Sequence, residues 1–95
     1  MSRGVVEAVQ RRDRDLASQL RRAVSSAALN LSEGFGVAGG HARVRFETAL
    51  GSLKEARTGI QVAIAWGYVT EASCSEVLEC IDSLGGRVFG LTRKR

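Results

Sequence analysis

Residues 34–39, GFGVAG, have the spacing G-x-G-x-x-G and precede a segment with a helical pattern. In nucleotide-binding folds, glycines at this spacing let the backbone approach a phosphate, which the first amides of the next helix bind. That chemistry requires a strand before the glycines and a surrounding βαβ unit. The preceding residues, AVSSAALNLSE, have a helical pattern instead. We therefore expect a helix that stops at Glu33–Gly34 and a loop with positive φ at Gly34 or Gly36.

Arginine is the other residue type whose pattern indicates chemistry, since twelve of the fourteen basic residues are arginine and the net charge is +4. Its planar guanidinium binds phosphates and carboxylates alike. The candidate nucleic-acid contacts are Arg11, Arg12, Arg14, Arg21, Arg22, Arg43, Arg45, Arg93, Lys94 and Arg95. The alternative for the same charges is a solvated helical face that keeps the protein soluble.

The sequence offers no set of residues for catalysis or metal binding. Ser25, Ser26 and Ser32 lie on a predicted helix, and His41 is the sole histidine of the chain. Cys74 and Cys80 are six residues apart on a predicted helix, or about 9 Å along its axis, which is too far for a disulfide. We expect a non-enzymatic protein with free thiols and without a metal or cofactor.

Length and hydropathy limit the number of domains and the classes of protein to which the chain could belong. We expect a single domain over residues 1–95, because two independent cores would not fit in so short a chain. No apolar run approaches the 18 residues of a membrane span, and the N-terminus lacks the apolar segment of a secretory signal. These features predict a cytoplasmic protein without membrane contact. Oligomerisation is one way to extend so small a core.

The spacing of apolar residues is helical throughout, and the chain contains no proline. VVEAV predicts a short first helix, or the end of a longer one, and three stripes predict longer helices. The stripes are Leu16, Leu20, Ala23, Ala27 and Leu31; Phe46, Ala49 or Leu50, Leu53, Ala56, Ile60, Ala63 or Ile64, and Gly67; and Cys74, Val77 or Leu78, Ile81, Leu84, Val88 and Leu91. Short connections favour an all-α, antiparallel up-down four-helix bundle. Other apolar residues lie off the stripes and indicate a second surface for self-association: Val24, Leu29, Val62, Trp66 and Phe89.

Local signals define the helix ends. Asp13 or Asp15 is the expected N-cap of the second helix, and Gly67 is suited to close the third. Thr70, or Ser73 with Glu76 as a capping box, is expected to open the last helix.

Asn30 and Glu33 are polar residues near the end of an otherwise apolar helix. A carboxylate at this position opposes the helix dipole. We therefore expect a compensating partner, such as a buried hydrogen bond to the facing helix or an arginine of a neighbouring subunit.

Four ordered motifs, roughly QLRRA, NxxEG, AxGSxxE and GY, resemble those of the 23S rRNA intervening-sequence proteins over residues 16 to 68. The accessory variability determinant (Avd) of diversity-generating retroelements is a relative of that family. The residues that carry the resemblance are Gln19, Asn30, Glu33, Gly34, Gly51, Ser52, Glu55, Gly67 and Tyr68.

The resemblance implies a small antiparallel bundle that assembles into a homopentameric ring, binds RNA or DNA and has no catalytic activity. It also implies a reverse transcriptase as a partner of the retroelement relative. This sequence departs from the family pattern in its short first helix and in its glycine-rich loop. Two functions follow as expectations: an accessory factor that binds RNA, or a protein-interaction scaffold without nucleic-acid binding.

Overall fold

The computed structural model of the chain describes residues 3–37 and 40–93, and nearly all of them lie in four α-helices. Helix α1 spans Arg3–Arg12, α2 spans Arg14–Gly36, α3 spans Gly40–Ala65 and α4 spans Glu71–Thr92. No strand occurs in the described ranges. The all-α class is confirmed, and the first helix is short, as predicted.

The caps of α2 and α4 resolve the two alternatives that the sequence left open. A side-chain oxygen of Asp13 accepts a hydrogen bond from the amide of Leu16 at 2.9 Å. The hydroxyl of Thr70 accepts one from the amide of Ser73 at 3.0 Å. Each bond satisfies a first-turn amide that has no partner within its own helix.

Gly67 ends α3, as predicted. Its φ of 76° is the sole positive value among the described residues. The next amide, of Tyr68, returns to the carbonyl of Ala63 at 2.9 Å. Only glycine takes this left-handed conformation at little cost, so the residue type follows from the turn.

The expected helix stop at Gly34 is wrong, because α2 continues to Gly36 and neither glycine has positive φ. Gly34 is buried where α2 meets α3. A Cβ on Gly34 would lie 2.6 Å from Cε1 of Phe46, so the missing side chain is what lets this ring approach α2. Gly34 is therefore a packing residue within the helix.

The core lies between α2, α3 and α4, and α1 adds Val5 and Val9 to it. Helix α3 packs against both α2 and α4, while α1 packs against α2. Apart from Ala17, the rest of the core comes from the three predicted stripes, in which Leu84 is 39% exposed and Leu31 and Leu91 are only partly buried.

The apolar residues outside the stripes separate into two groups. Val24 packs partly against the core. Leu29, Val62, Trp66 and Phe89 are exposed, and Trp66 is the most exposed of these four at 69%.

Three further features concern cysteines, metals and membranes. Both cysteines are free: Cys74 is buried and Cys80 is exposed. Within residues 3–37 and 40–93, no cluster of His, Cys, Asp and Glu could hold a metal ion. None of the described helices is long and apolar enough to span a bilayer.

Candidate nucleic-acid interface

The basic elbow is the depression at the junction of α1 and α2. It has a volume of about 670 Å³ and is lined by Gln10, Arg11, Arg12, Asp13, Arg14, Asp15 and Arg21. Four guanidinium groups face two carboxylates here. Both oxygens of Asp13 accept hydrogen bonds, one from the amide of Leu16 and the other from the hydroxyl of Tyr68 at 3.2 Å. The elbow therefore presents a net positive charge to an anion.

The four arginines of the elbow differ in what already holds them. Arg21 donates a hydrogen bond to Gln10 across the junction, and Cζ of Arg12 lies 5.6 Å from the ring centroid of Tyr68. Within the described part of the chain, Arg11 and Arg14 make neither a hydrogen bond nor an ion pair. The N–H donors of Arg11 and Arg14 are therefore available to phosphate oxygens. Arg12 and Arg21 lie beside them and are positioned by their contacts with Tyr68 and Gln10.

Tyr68 connects the α3–α4 turn to the elbow. Partial burial raises the pKa of its phenol, the charge of Asp13 and the hydrogen bond to that carboxylate raise this pKa further, and the nearby Arg12 opposes the rise. The phenol is therefore neutral at physiological pH and donates to Asp13. This bond fixes the start of α2 and, with it, the arginines on either side of Asp13.

The remaining predicted contacts lie elsewhere. Arg22 donates to Ser18 on its own helix at 3.0 Å and faces the groove between α2 and α3. Arg43 pairs with Glu47 at 3.3 Å in an exposed i,i+4 pair. Arg93 lies over the ring of Phe89, with Cζ 5.5 Å from its centroid. Lys94 and Arg95 lie outside the described residues.

The predicted set is thus divided between two ends of an elongated molecule with a long dimension of 42 Å. Arg45 contacts Glu33, which lies nineteen residues, or about 28 Å of helix, beyond Arg14. Arg93 is the C-cap of α4. Gly85 of the same helix faces Leu50 of α3, so Arg93 lies at the end of the molecule that also contains Arg43. The eight described residues of the predicted set therefore do not form one continuous patch.

The partner that we expected for Asn30 and Glu33 is Arg45, on the facing helix of the same chain. Nη1 of Arg45 lies 2.9 Å from Oε1 of Glu33 and donates to Oδ1 of Asn30 at 3.3 Å. The amide nitrogen of Asn30 donates to the backbone carbonyl of Ser26 at 2.8 Å. The partner therefore lies on the facing helix of the same chain, as one alternative predicted, but the contact is half exposed and not buried. Arg45 is thus held in an intramolecular ion pair, with its side chain half exposed.

Two serines that sequence reasoning considered only as nucleophiles or motif letters complete this polar seam between α2 and α3. The hydroxyls of Ser26 and Ser52 are 2.7 Å apart, and Ser52 is buried. A signal existed, because Ser26 lies one turn before Asn30 and so shares its helix face. The exposed pair of Arg57 with Asp82, at 2.8 Å, had no comparable signal.

The other motif residues, Gln19, Gly51 and Glu55, are exposed and line one shallow groove between α2 and α3. Their positions are explained neither by the core nor by the basic elbow.

The comparison with protein families covers the basic elbow and the α2–α3 groove. The family model described as 23S rRNA-intervening sequence protein matches residues 5–90. No curated protein and no solved structure matches the chain. Since the match extends from α1 into the last turn of α4, the chain belongs to the 23S rRNA-intervening sequence protein family.

Proposed function

We propose that the chain is a non-enzymatic, homo-oligomeric protein of the cytoplasm that binds nucleic acid, RNA in particular, as an accessory factor. The observation that carries this proposal is the basic elbow, where four arginines line one depression. Arginines at this density bind phosphates through charge and paired N–H donors. The family name is consistent with a link to RNA.

The assembly belongs to the same proposal. Contacts pair Asp13 with Tyr68, and Ser26 with Ser52, so early residues of α2 meet late residues of α3. Arg57 and Asp82 relate α3 to α4 in the same sense. These pairings support an antiparallel up-down course of the helices. The homopentameric ring is the arrangement that the family resemblance implies.

The test is a titration of structured RNA at several salt concentrations. Each phosphate neutralised by an arginine releases counterions, so the log of the binding constant should fall with the log of salt, with a slope of roughly 0.7 to 0.9 per contact. We expect binding at low salt and a slope of roughly 2.8 to 3.6 for contacts by the four elbow arginines. Absence of binding at low salt, or an affinity that does not change with salt concentration, would contradict the proposal.

The alternative is a protein-interaction scaffold, for which a reverse transcriptase is the partner that the resemblance implies. It is favoured by an apolar groove of about 200 Å³ between α2, α3 and α4, bounded by residues such as Val24, Leu31 and Leu84. In this case Leu84→Asp should abolish capture of a purified reverse transcriptase and leave RNA retention unchanged. Loss of RNA retention with capture intact would contradict the scaffold.

A further inference from the structure

Arg12 is the arginine of the basic elbow that lies over an aromatic ring. Its Cζ is 5.6 Å from the ring centroid of Tyr68. Arg12 is exposed and lines the depression, whereas Tyr68 does not line it, so the guanidinium lies between the ring and the open space of the elbow. One face of the guanidinium is therefore against Tyr68, and the other is open to the depression.

The ring beneath Arg12 is held in place. Tyr68 is half-buried, and its hydroxyl donates to one oxygen of Asp13 at 3.2 Å. The other oxygen of Asp13 accepts from the amide of Leu16 at 2.9 Å, which fixes this carboxylate at the start of α2. A planar guanidinium that already stacks on a fixed ring loses less freedom when a ligand binds it. Arg12 thus presents a flat, preorganised cation.

Hydrogen-bonding groups of both kinds surround this flat cation. Arg11 and Arg14 line the same depression and make neither a hydrogen bond nor an ion pair within the described part of the chain, so their donors can bind phosphate oxygens. Both oxygens of Asp13 are engaged, which leaves Asp15 as the carboxylate that an incoming ligand meets. Asp15 repels a phosphate but accepts N–H and O–H groups. A matching ligand combines phosphates, hydrogen-bond donors and a flat face.

We infer that the basic elbow binds an unpaired nucleotide of an RNA strand, with the base stacked on Arg12 and the flanking phosphates bound by Arg11 and Arg14. This inference rests on the proposed binding of nucleic acid and specifies the form of RNA. An unpaired base can leave its neighbours and stack on a guanidinium plane. In a duplex the faces of the bases are stacked on one another, so Arg12 would have no base face to contact.

The other basic surfaces lack this combination. Among the described residues that line the groove between α2 and α3, none is aromatic. Arg93 lies over the ring of Phe89, with Cζ 5.5 Å from its centroid. The depression beside Phe89 contains Arg57, but that guanidinium is paired with Asp82 at 2.8 Å. A stacked arginine next to unpaired arginines is therefore a feature of the elbow.

The experiment measures the affinity of the protein at low salt for a short oligouridine, for the same strand with its bases removed, and for the duplex of oligouridine with oligoadenosine. The abasic strand keeps every phosphate and so keeps the charge attraction. We expect the wild type to bind the abasic strand about fivefold more weakly than the oligouridine, or weaker still, because a stacked base contributes about that factor or more.

Arg12→Lys keeps the positive charge and removes the plane on which a base stacks. It should lower the affinity for oligouridine by about fivefold and leave the affinities for the abasic strand and for the duplex unchanged. Arg11→Lys is the matched control at the neighbouring exposed position, which lies over no ring in the described structure. Arg93→Lys is the control for the second stacked arginine. Both controls should keep the wild-type preference for oligouridine over the abasic strand.

The outcomes separate this inference from the proposed function. Failure to bind any of these ligands at low salt would overturn both. Equal affinity of the wild type for the intact and abasic strands would leave nucleic-acid binding in place and overturn the unpaired base at the elbow. A preference that survives in Arg12→Lys, or that disappears in Arg11→Lys or Arg93→Lys, would overturn the assignment to Arg12. An equal loss of duplex affinity in Arg12→Lys would also overturn it, since the residue would then act on phosphates.

Discussion

Arg45 of α3 and Glu33 of α2 form an ion pair of 2.9 Å, and the same guanidinium nitrogen also donates to Asn30. The helix dipole disfavours the negative charge of Glu33 near the C-terminal end of α2, and the guanidinium of Arg45 supplies the compensating positive charge. It also joins the two helices close to the loop that connects them. The two polar residues of the NxxEG motif thus act through one arginine fifteen and twelve residues further along the chain.

Replacing Glu33 by Gln should lower the free energy of unfolding by about 0.2–1 kcal/mol, because both side chains of the ion pair are about half exposed and water screens them. Urea unfolding of the wild type, Glu33→Gln, Arg45→Met and the double variant measures the coupling energy. A coupling energy of zero would show that the contact contributes nothing to stability.

Gly34→Ala should destabilise the protein by about 1–3 kcal/mol, since the added Cβ would overlap the buried ring of Phe46. Gly36→Ala, two residues further on, meets no atom within 4 Å and should be neutral or stabilising by up to about 1 kcal/mol. Thermal melting of the two variants checks the opposite signs. Equal effects would mean that Phe46 moves aside without cost.

Ser52→Ala should cost about 1 kcal/mol, because it removes the hydrogen bond with Ser26 across the buried seam. Ser75→Ala is a suitable control, since the hydroxyl of Ser75 is exposed and bonds only to the carbonyl of Ala72 on its own helix. Denaturant unfolding should show a larger loss for Ser52 than for Ser75. The reverse order would contradict the assigned role of the seam.

Tyr68 should titrate with a midpoint above 10.0, because burial and Asp13 raise the pKa of its phenol. It is the sole tyrosine of the chain, so the ultraviolet absorbance of phenolate reports the titration of this group alone. A raised folded pKa means that the contribution to stability is complete below the unfolded pKa and is lost as the pH rises through the folded one. Asp13→Asn should lower the midpoint, and an unchanged midpoint would remove Asp13 as a cause.

Replacing Arg11 and Arg14 by Gln should lower the log–log salt slope of RNA binding by roughly 1.4 to 1.8, since each lost phosphate contact removes about 0.7 to 0.9. Arg43→Gln with Arg93→Gln removes the same charge at the other end of the molecule. These control substitutions should change the slope less. Equal losses from the two pairs would indicate diffuse attraction instead of a site at the elbow.

Much of the fold follows from local signals. Apolar spacing predicts the three long helices, and Gly67, Asp13 and Thr70 mark their ends, because capping and periodicity depend on neighbours a few residues apart. The prediction of a positive φ at Gly34 or Gly36 was wrong because local sequence does not distinguish two roles of glycine. A glycine that ends a helix and one that admits a facing ring have the same local sequence, and only the position of Phe46 distinguishes them.

The helices, their apolar faces, the excess of arginine and the membership of a family all follow from the amino-acid sequence. Only the folded chain shows that Arg45 contacts Asn30 and Glu33, that Arg11 and Arg14 lie together at the elbow and away from Arg43, and that Trp66 is exposed. The difference lies in how far apart along the chain the interacting residues are. Helical periodicity fixes which residues share one face of one helix, whereas the meeting of two faces depends on packing between residues far apart in the chain.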